Sequence, residues 1–242
     1  MTNDLIITKV NERLHLLGLG QYSLSFIGSE DVLHIVHPSG ILRISETELD
    51  KDLRGHADLA IGSIVQLIDR YDLIFSLTEL CVSRLKRLEH RVHFEIGYFS
   101  FCKGACYNYS KKAIYLNPSQ IFTRWSMYFK NVLNLSHFIT ILILHELGHV
   151  LQDQEKPILK RMKQFISGFN PLRITIQDAE TYKQFLLQEE KDAWDRCEKY
   201  LHNTTVEPSS FSKIRSYCLN TYATLELTRV KRILQALNNG LD

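Results

Sequence analysis

"ILILHELGHVLQDQ", residues 141–154, runs four apolar residues directly into His145, Glu146 and His149. On a helix, residues four apart lie one turn above each other on one face, so His145 and His149 share a side. Two imidazole nitrogens at that spacing converge on one metal ion at about 2 Å from each. Glu146, one residue round from His145, borders the open side of such a metal without ligating it. There it is placed to take a proton from water that the metal has acidified. This is the H-E-x-x-H arrangement.

The flanks of the motif strengthen that reading. Phe138, Ile139, Ile141, Leu142, Ile143, Leu144, Leu147, Val150 and Leu151 leave the helix apolar almost all round. Such a helix is central and buried. Two imidazoles and a carboxylate are costly in that setting unless compensated, and a metal ion is the simplest compensation. Gly148 costs about 1 kcal/mol relative to alanine in a helix interior. It makes sense if another backbone segment packs closely there. The plainer alternative is a pair of core histidines with ordinary hydrogen bonds.

A catalytic zinc site needs a third protein ligand, and no histidine follows His149 at close spacing. The best source is "TYKQFLLQEEKDAWDRCEKYL", residues 181–201. Glu190 falls on the apolar stripe Leu186, Leu187, Ala193, Trp194, Cys197 and Leu201, and a carboxylate there needs a partner. Glu189 shares its side with Phe185, Asp192 and Arg196, a more solvated company. Glu190 is therefore the expected third ligand, with Glu189 next and Asp178 or Glu180 further off. The alternative for Glu190 is a carboxylate paired with a buried Arg or Lys.

With these residues in hand, the chain resembles the gluzincin group of zinc metallopeptidases, in which HExxH on one helix is joined by a glutamate from a later one. "HELGH" followed by "EEKDAW" carries the resemblance, and the E-x-x-A portion is similar to compact ImmA/IrrE-type bacterial metalloproteases. It covers about residues 105–200. The resemblance implies a zincin-like fold, a Zn²⁺ cofactor held by His145, His149 and Glu190, and Glu146 as general base. It also implies an extended substrate pairing with the strand before the motif helix, here "KKAIYLNP", residues 111–118, with an inner strand as the equal alternative for this segment. One departure concerns the outer shell. Several gluzincins carry an Asp four residues after the ligand glutamate to support a histidine, and here that position is Trp194. Asp195 or Asp153 is the substitute to look for. A transition-state donor is open among Tyr107, Tyr109, Tyr115, Tyr182 and Tyr200.

Elsewhere the chain reads as strands first and helices afterwards. An amphipathic helix over "DLIITKVNERLHLLGLG" is stopped by glycines. "YSLSFIG", "VLHIVHP" and "ILRIS" form an antiparallel meander. A helical pattern begins at Ser45, with Ile64, Leu67, Ile68, Tyr71 and Leu73 at helical spacing. "HRVHFEIGYFSF" and "ACYNYSKKAIYLNP" read as two strands, and helices follow over about 119–133, 136–153, 156–168, 176–202 and 209–238. On a strand, His90 and His93 point to opposite faces, which argues against a second metal site. The expected class is α+β, with a small, mostly antiparallel sheet on a helix-rich core. A soft boundary separates an N-terminal region, 1–88, from a metallopeptidase domain, 89–242.

The totals narrow the field. A net charge of +2 with scattered basic residues gives no nucleic-acid footprint. The N-terminus lacks a basic leader with an apolar stretch, and the most apolar segment is interrupted by His137, His145, Glu146 and His149, so a membrane span is not expected. Five cysteines, an odd and sparse set, suit reduced thiols in the cytoplasm. The expectation is a cytoplasmic zinc metalloprotease hydrolysing a protein or peptide substrate. The alternatives are a regulatory or binding scaffold without peptidase activity, and an exported toxin or effector protease.

Overall fold

Turn chemistry divides the chain into strands and then helices. In the computed structural model, described over residues 3–16, 18–26, 33–37, 40–43, 72–85, 92–97, 99, 101–170 and 173–239, the first element is helix α1 (Asn3–Leu16). It stops where Gly18 takes a left-handed φ of 77° and Leu19 N–H reaches back to the Leu14 carbonyl at 2.9 Å. That is the usual glycine stop of a helix. Strands β1 (Ser23–Phe26), β2 (Leu33–His37) and β3 (Gly40–Arg43) then form the expected antiparallel meander, with Ser23 opposite Val36 and His34 opposite Arg43.

The cap at Ser45 and the positions from Ile64 to Tyr71 lie outside the described residues, as does His90. Residues 72–85 form helix α2, which buries Ile74, Thr78, Cys81, Val82 and Leu85 at helical spacing.

The second sheet corrects two expectations. "ACYNYSKKAIYLNP" is a hairpin, not one strand: β5 (Ala105–Asn108) turns into β6 (Ala113–Leu116). Asn108 makes the turn, because its side-chain oxygen accepts from the N–H groups of Ser110 and Lys111 at 3.0 and 2.9 Å. Lys112 completes it at a left-handed φ of 53°. The strand order is β4 (His93–Ile96), β6, β5, with β4 parallel and β5 antiparallel to β6. The sheet is therefore mixed, and residues 111–118 hold its centre instead of its edge. The apolar run Ala113–Leu116 fits that place, since all four residues are buried.

From Asn117 onward the chain is helical. Helix α3 (Pro118–Arg124) is capped by the Asn117 side chain and passes into a wider turn over Trp125–Phe129. Helix α4 (Leu135–Glu155) carries the HELGH motif; Asn134 caps its start by accepting from His137 N–H, and Pro157 follows its end. Helix α5 (Ile158–Ile166) follows directly, and helix α6 (Ile176–Glu198) starts with a reciprocal cap between Thr175 and Asp178. The expected last helix is two, α7 (Pro208–Ala223) and α8 (Leu227–Asn239). No glycine or proline marks the break. α8 turns so that Val230 and Leu234 join Tyr182, Ala179 and Ile166 in a second small core.

The main core collects Leu85, Ile114, Leu116, Ile121 and Phe138 with Ile141–Leu144, Trp194, Phe211 and Ile214. The molecule is α+β, mostly helical with a small mixed sheet beside the motif helix. Among the described residues, no helix is long and apolar enough to cross a membrane.

Candidate metal centre

Helices α4 and α6 meet at Gly148. A Cβ on Gly148 would lie 2.0 Å from the carbonyl oxygen of Ala193, so only glycine permits this approach. The close crossing brings Glu190, one turn before Ala193, opposite the two histidines. Glu190 Oε2 lies 3.2 Å from His145 Nε2, and Glu190 Oε1 lies 3.5 Å from His149 Nε2. His145, His149 and Glu190 are the one group of three possible metal-binding side chains among the described residues, with ligand atoms within 4.8 Å of one another.

The donor set fits a small tetrahedral cation. Bonds of about 2.0–2.2 Å place neighbouring ligand atoms roughly 3.3–3.5 Å apart. The two imidazole–carboxylate separations, each to its own Glu190 oxygen, are close to that spacing. Two neutral imidazoles and one carboxylate are also a donor set suited to Zn²⁺, with a fourth position left over. Glu189 is elsewhere: its Oε1 receives Arg161 Nη1 at 2.6 Å. Its side chain is as buried as that of Glu190, 13% exposed in each case, so the expected difference in solvation between the two is absent. The difference is in partners. Arg161 neutralises Glu189, while Glu190 faces the two imidazoles. Asp178 caps α6 and Glu180 pairs with Gln184, so neither approaches the site.

Electrostatics bind the three groups together. Burial works to raise the Glu190 carboxyl, but hydrogen bonds and charge from His145 and His149 hold it far below the usual carboxylate range. Burial works to lower His149, yet the hydrogen bond and charge of Glu190 carry it up to about 9. Glu146 is buried beside the trio and outside it, accepting the Tyr107 backbone N–H at 2.7 Å.

That contact lies on the β5 edge of the sheet. Asn117 N–H donates to Gly104 O at 2.7 Å, so the antiparallel alternation turns the backbone groups of Ala105 and Tyr107 away from β6. They face the Glu146 side of α4. The edge anticipated in residues 111–118 is therefore supplied by β5.

Each histidine is held differently. His145 is stacked on Trp194, with ring centroids 4.2 Å apart and planes at 20°. Among the described residues its Nδ1 has no hydrogen-bond partner, so packing orients this ring. The residue that stands where an Asp was sought thus supports His145 through its face. Asp195 pairs with Arg215 at the surface, and Asp153 binds Lys112, Tyr107 Oη and Ile158 N–H, so neither serves as the substitute. His149 Nδ1 lies 3.0 Å from Gln152 Oε1 and 3.3 Å from Tyr109 Oη.

Two phenols complete the surroundings. Burial, then the charges of Glu146 and Glu190, push Tyr109 above its ordinary range. Burial, then Glu190 by charge and hydrogen bond, do the same to Tyr222 on α7. Both stay protonated and available as donors. Of the other tyrosines considered, Tyr107 is tied to Asp153, Tyr115 stacks with Phe99 and Phe101, and Tyr182 lies in the second core. Tyr222 carries no local signal in the sequence, since its place depends on how α7 packs on α6. The thiols of Cys81, Cys102, Cys106, Cys197 and Cys218 are free, and His93 pairs with Glu95 and belongs to no metal-binding group among the described residues.

Compared with family models, curated proteins and solved structures, the chain matches none.

Proposed function

We propose that the chain is a zinc-dependent peptidase of gluzincin type, cleaving a protein or peptide substrate. The observation that carries the reading is Glu190 facing both Nε2 atoms while Glu146 stands beside them, uncommitted to the trio. A site used only for structure has no need of a carboxylate in that position. His145, His149 and Glu190 would hold the ion. Zinc, when bound there, supplies a Lewis acid for a peptide carbonyl and acidifies water.

The remaining roles fall to the chain's own groups. Glu146 accepts a proton from the attacking water and delivers it to the leaving amine. The phenol of Tyr109, 3.3 Å from His149 Nδ1, and that of Tyr222, which burial and Glu190 keep protonated, are the candidate donors to the oxygen on which charge develops. An extended peptide adds to the outer edge of β5, meeting the outward N–H of Ala105 and the C=O groups of Ala105 and Tyr107, while the Tyr107 N–H stays with Glu146. Free thiols agree with work in a reducing compartment such as the cytoplasm.

The test pairs two variants. Glu146→Gln is expected to retain stoichiometric zinc while losing cleavage by at least about a hundredfold, and His145→Ala to lose the metal itself. Comparing proteome-wide cleaved termini between wild type and Glu146→Gln identifies the substrate. Wild-type protein that binds no zinc, or equal termini in the two samples, refutes the proposal.

A further inference from the structure

The hydrogen bonds behind His149 form a chain with a single consistent direction. Gln152 is 1% exposed, and its Nε2 lies 2.8 Å from the Glu189 backbone oxygen and 3.3 Å from Glu189 Oε2. Both are acceptors that carry no proton. The nitrogen of the Gln152 amide is therefore fixed on this side, because turning the amide over would set oxygen against oxygen. Its Oε1 is left facing His149 Nδ1 at 3.0 Å, and an amide oxygen only accepts. Nδ1 must carry the proton. Nε2 is then the nitrogen that faces Glu190, 3.5 Å away: without metal it holds the proton it shares with that carboxylate, and a cation there would take its lone pair instead.

The far end of the chain is anchored as well. Arg161 on α5 grips Glu189 Oε1 at 2.6 Å and so holds the α6 turn whose carbonyl positions Gln152. We infer that Gln152 is the positioning residue of the metal centre: through the Glu189 carbonyl it holds His149 with Nδ1 protonated and Nε2 ready to ligate. This rests on the metal-centre reading given above. It assigns the neighbouring glutamates distinct work, Glu190 to the ion and Glu189 to the histidine's orientation. It also frees Tyr109. With Nδ1 donating, the Tyr109 oxygen accepts from it at most, and the phenol proton stays available to the site.

The experiment uses the full chain loaded with zinc. Zinc affinity is measured by competition with a chromogenic chelator, and the Nδ1–H of His149 is followed by ¹H–¹⁵N spectroscopy of its ring. Wild type is expected to show a slowly exchanging Nδ1–H. Gln152→Leu is expected to lose that protection and to bind zinc about 10–100-fold more weakly. Gln152→Glu keeps an acceptor for Nδ1–H but sets its second oxygen against the Glu189 carbonyl, so it is expected to lie between wild type and Gln152→Leu in both protection and affinity. Circular dichroism establishes that each variant is folded. Gln152→Leu with unchanged affinity and protection overturns the inference, as does equal weakening in Gln152→Leu and Gln152→Glu. If wild type binds no zinc, the metal-centre reading itself falls, a result distinct from either of these.

Discussion

Trp194 and His149 show how single side chains prepare this site. Trp194 is fully buried and spreads its ring across His145. Trp194→Ala removes that support and leaves a cavity, so it should cost about 3–5 kcal/mol in urea denaturation and weaken zinc binding as well. Trp194→Phe, which keeps a ring face, should lose distinctly less of both. His149 sets a pH dependence for the metal-free protein. Its folded pKa is about 9 against an ordinary 6.5, so the folded state holds the proton more tightly than the unfolded one. Its contribution to stability is complete below 6.5 and disappears as pH rises through about 9. Glu190 acts in the opposite direction. Its carboxyl is depressed, so its contribution is present above 4.5 and fades as pH falls below that value. Melting temperatures in chelator should therefore decline on both sides of neutrality, and His149→Gln should flatten the alkaline side. Zinc uptake near pH 7 should also release a proton from His149, measurable as a buffer-dependent binding enthalpy.

Among the elements, the α4–α6 crossing matters most. Its closeness depends on Gly148 lying under the Ala193 carbonyl. Gly148→Ala gains roughly 1 kcal/mol of helix propensity. The added methyl nevertheless cannot fit against backbone, so the helices must separate. The expected outcome is a net loss of a few kcal/mol together with loss of zinc binding, because Glu190 rides on the displaced helix. The α5–α6 contact offers a second test. Arg161→Met leaves the Glu189 carboxylate buried at 13% exposure without its cation, and should cost about 3 kcal/mol by thermal denaturation. The β5–β6 hairpin belongs with these elements. It delivers the Tyr107 N–H to Glu146, and its turn is built by Asn108.

For the molecule as a whole, a metal held by residues from two separate helices, as proposed, would couple its binding to the stability of the fold. Zinc at a hundred times its dissociation constant should stabilise the fold by about 2.7 kcal/mol, and a chelator should remove that gain. For a chain of 242 residues this corresponds to a melting shift of roughly 5–10 °C. His145, Glu146 and His149 were legible in the sequence because helical periodicity is local, and their shared face follows from spacing alone. Gly148 was legible for a related reason, since a glycine inside an apolar helix signals close approach. Glu190 could be reached through the apolar stripe around it, whereas the pairing of Glu189 with Arg161, which comes from another helix, could not. The α+β order and the N-terminal meander followed from turn residues and alternation. Strand order did not: the central place of β6 and its parallel pairing with β4 depend on contacts between segments distant along the chain. Gln152, Tyr109, Tyr222 and the stacking of Trp194 were hidden for the same reason. A hydrogen-bond partner or a packing face across two helices is a property of their crossing, and no spacing within either helix encodes it.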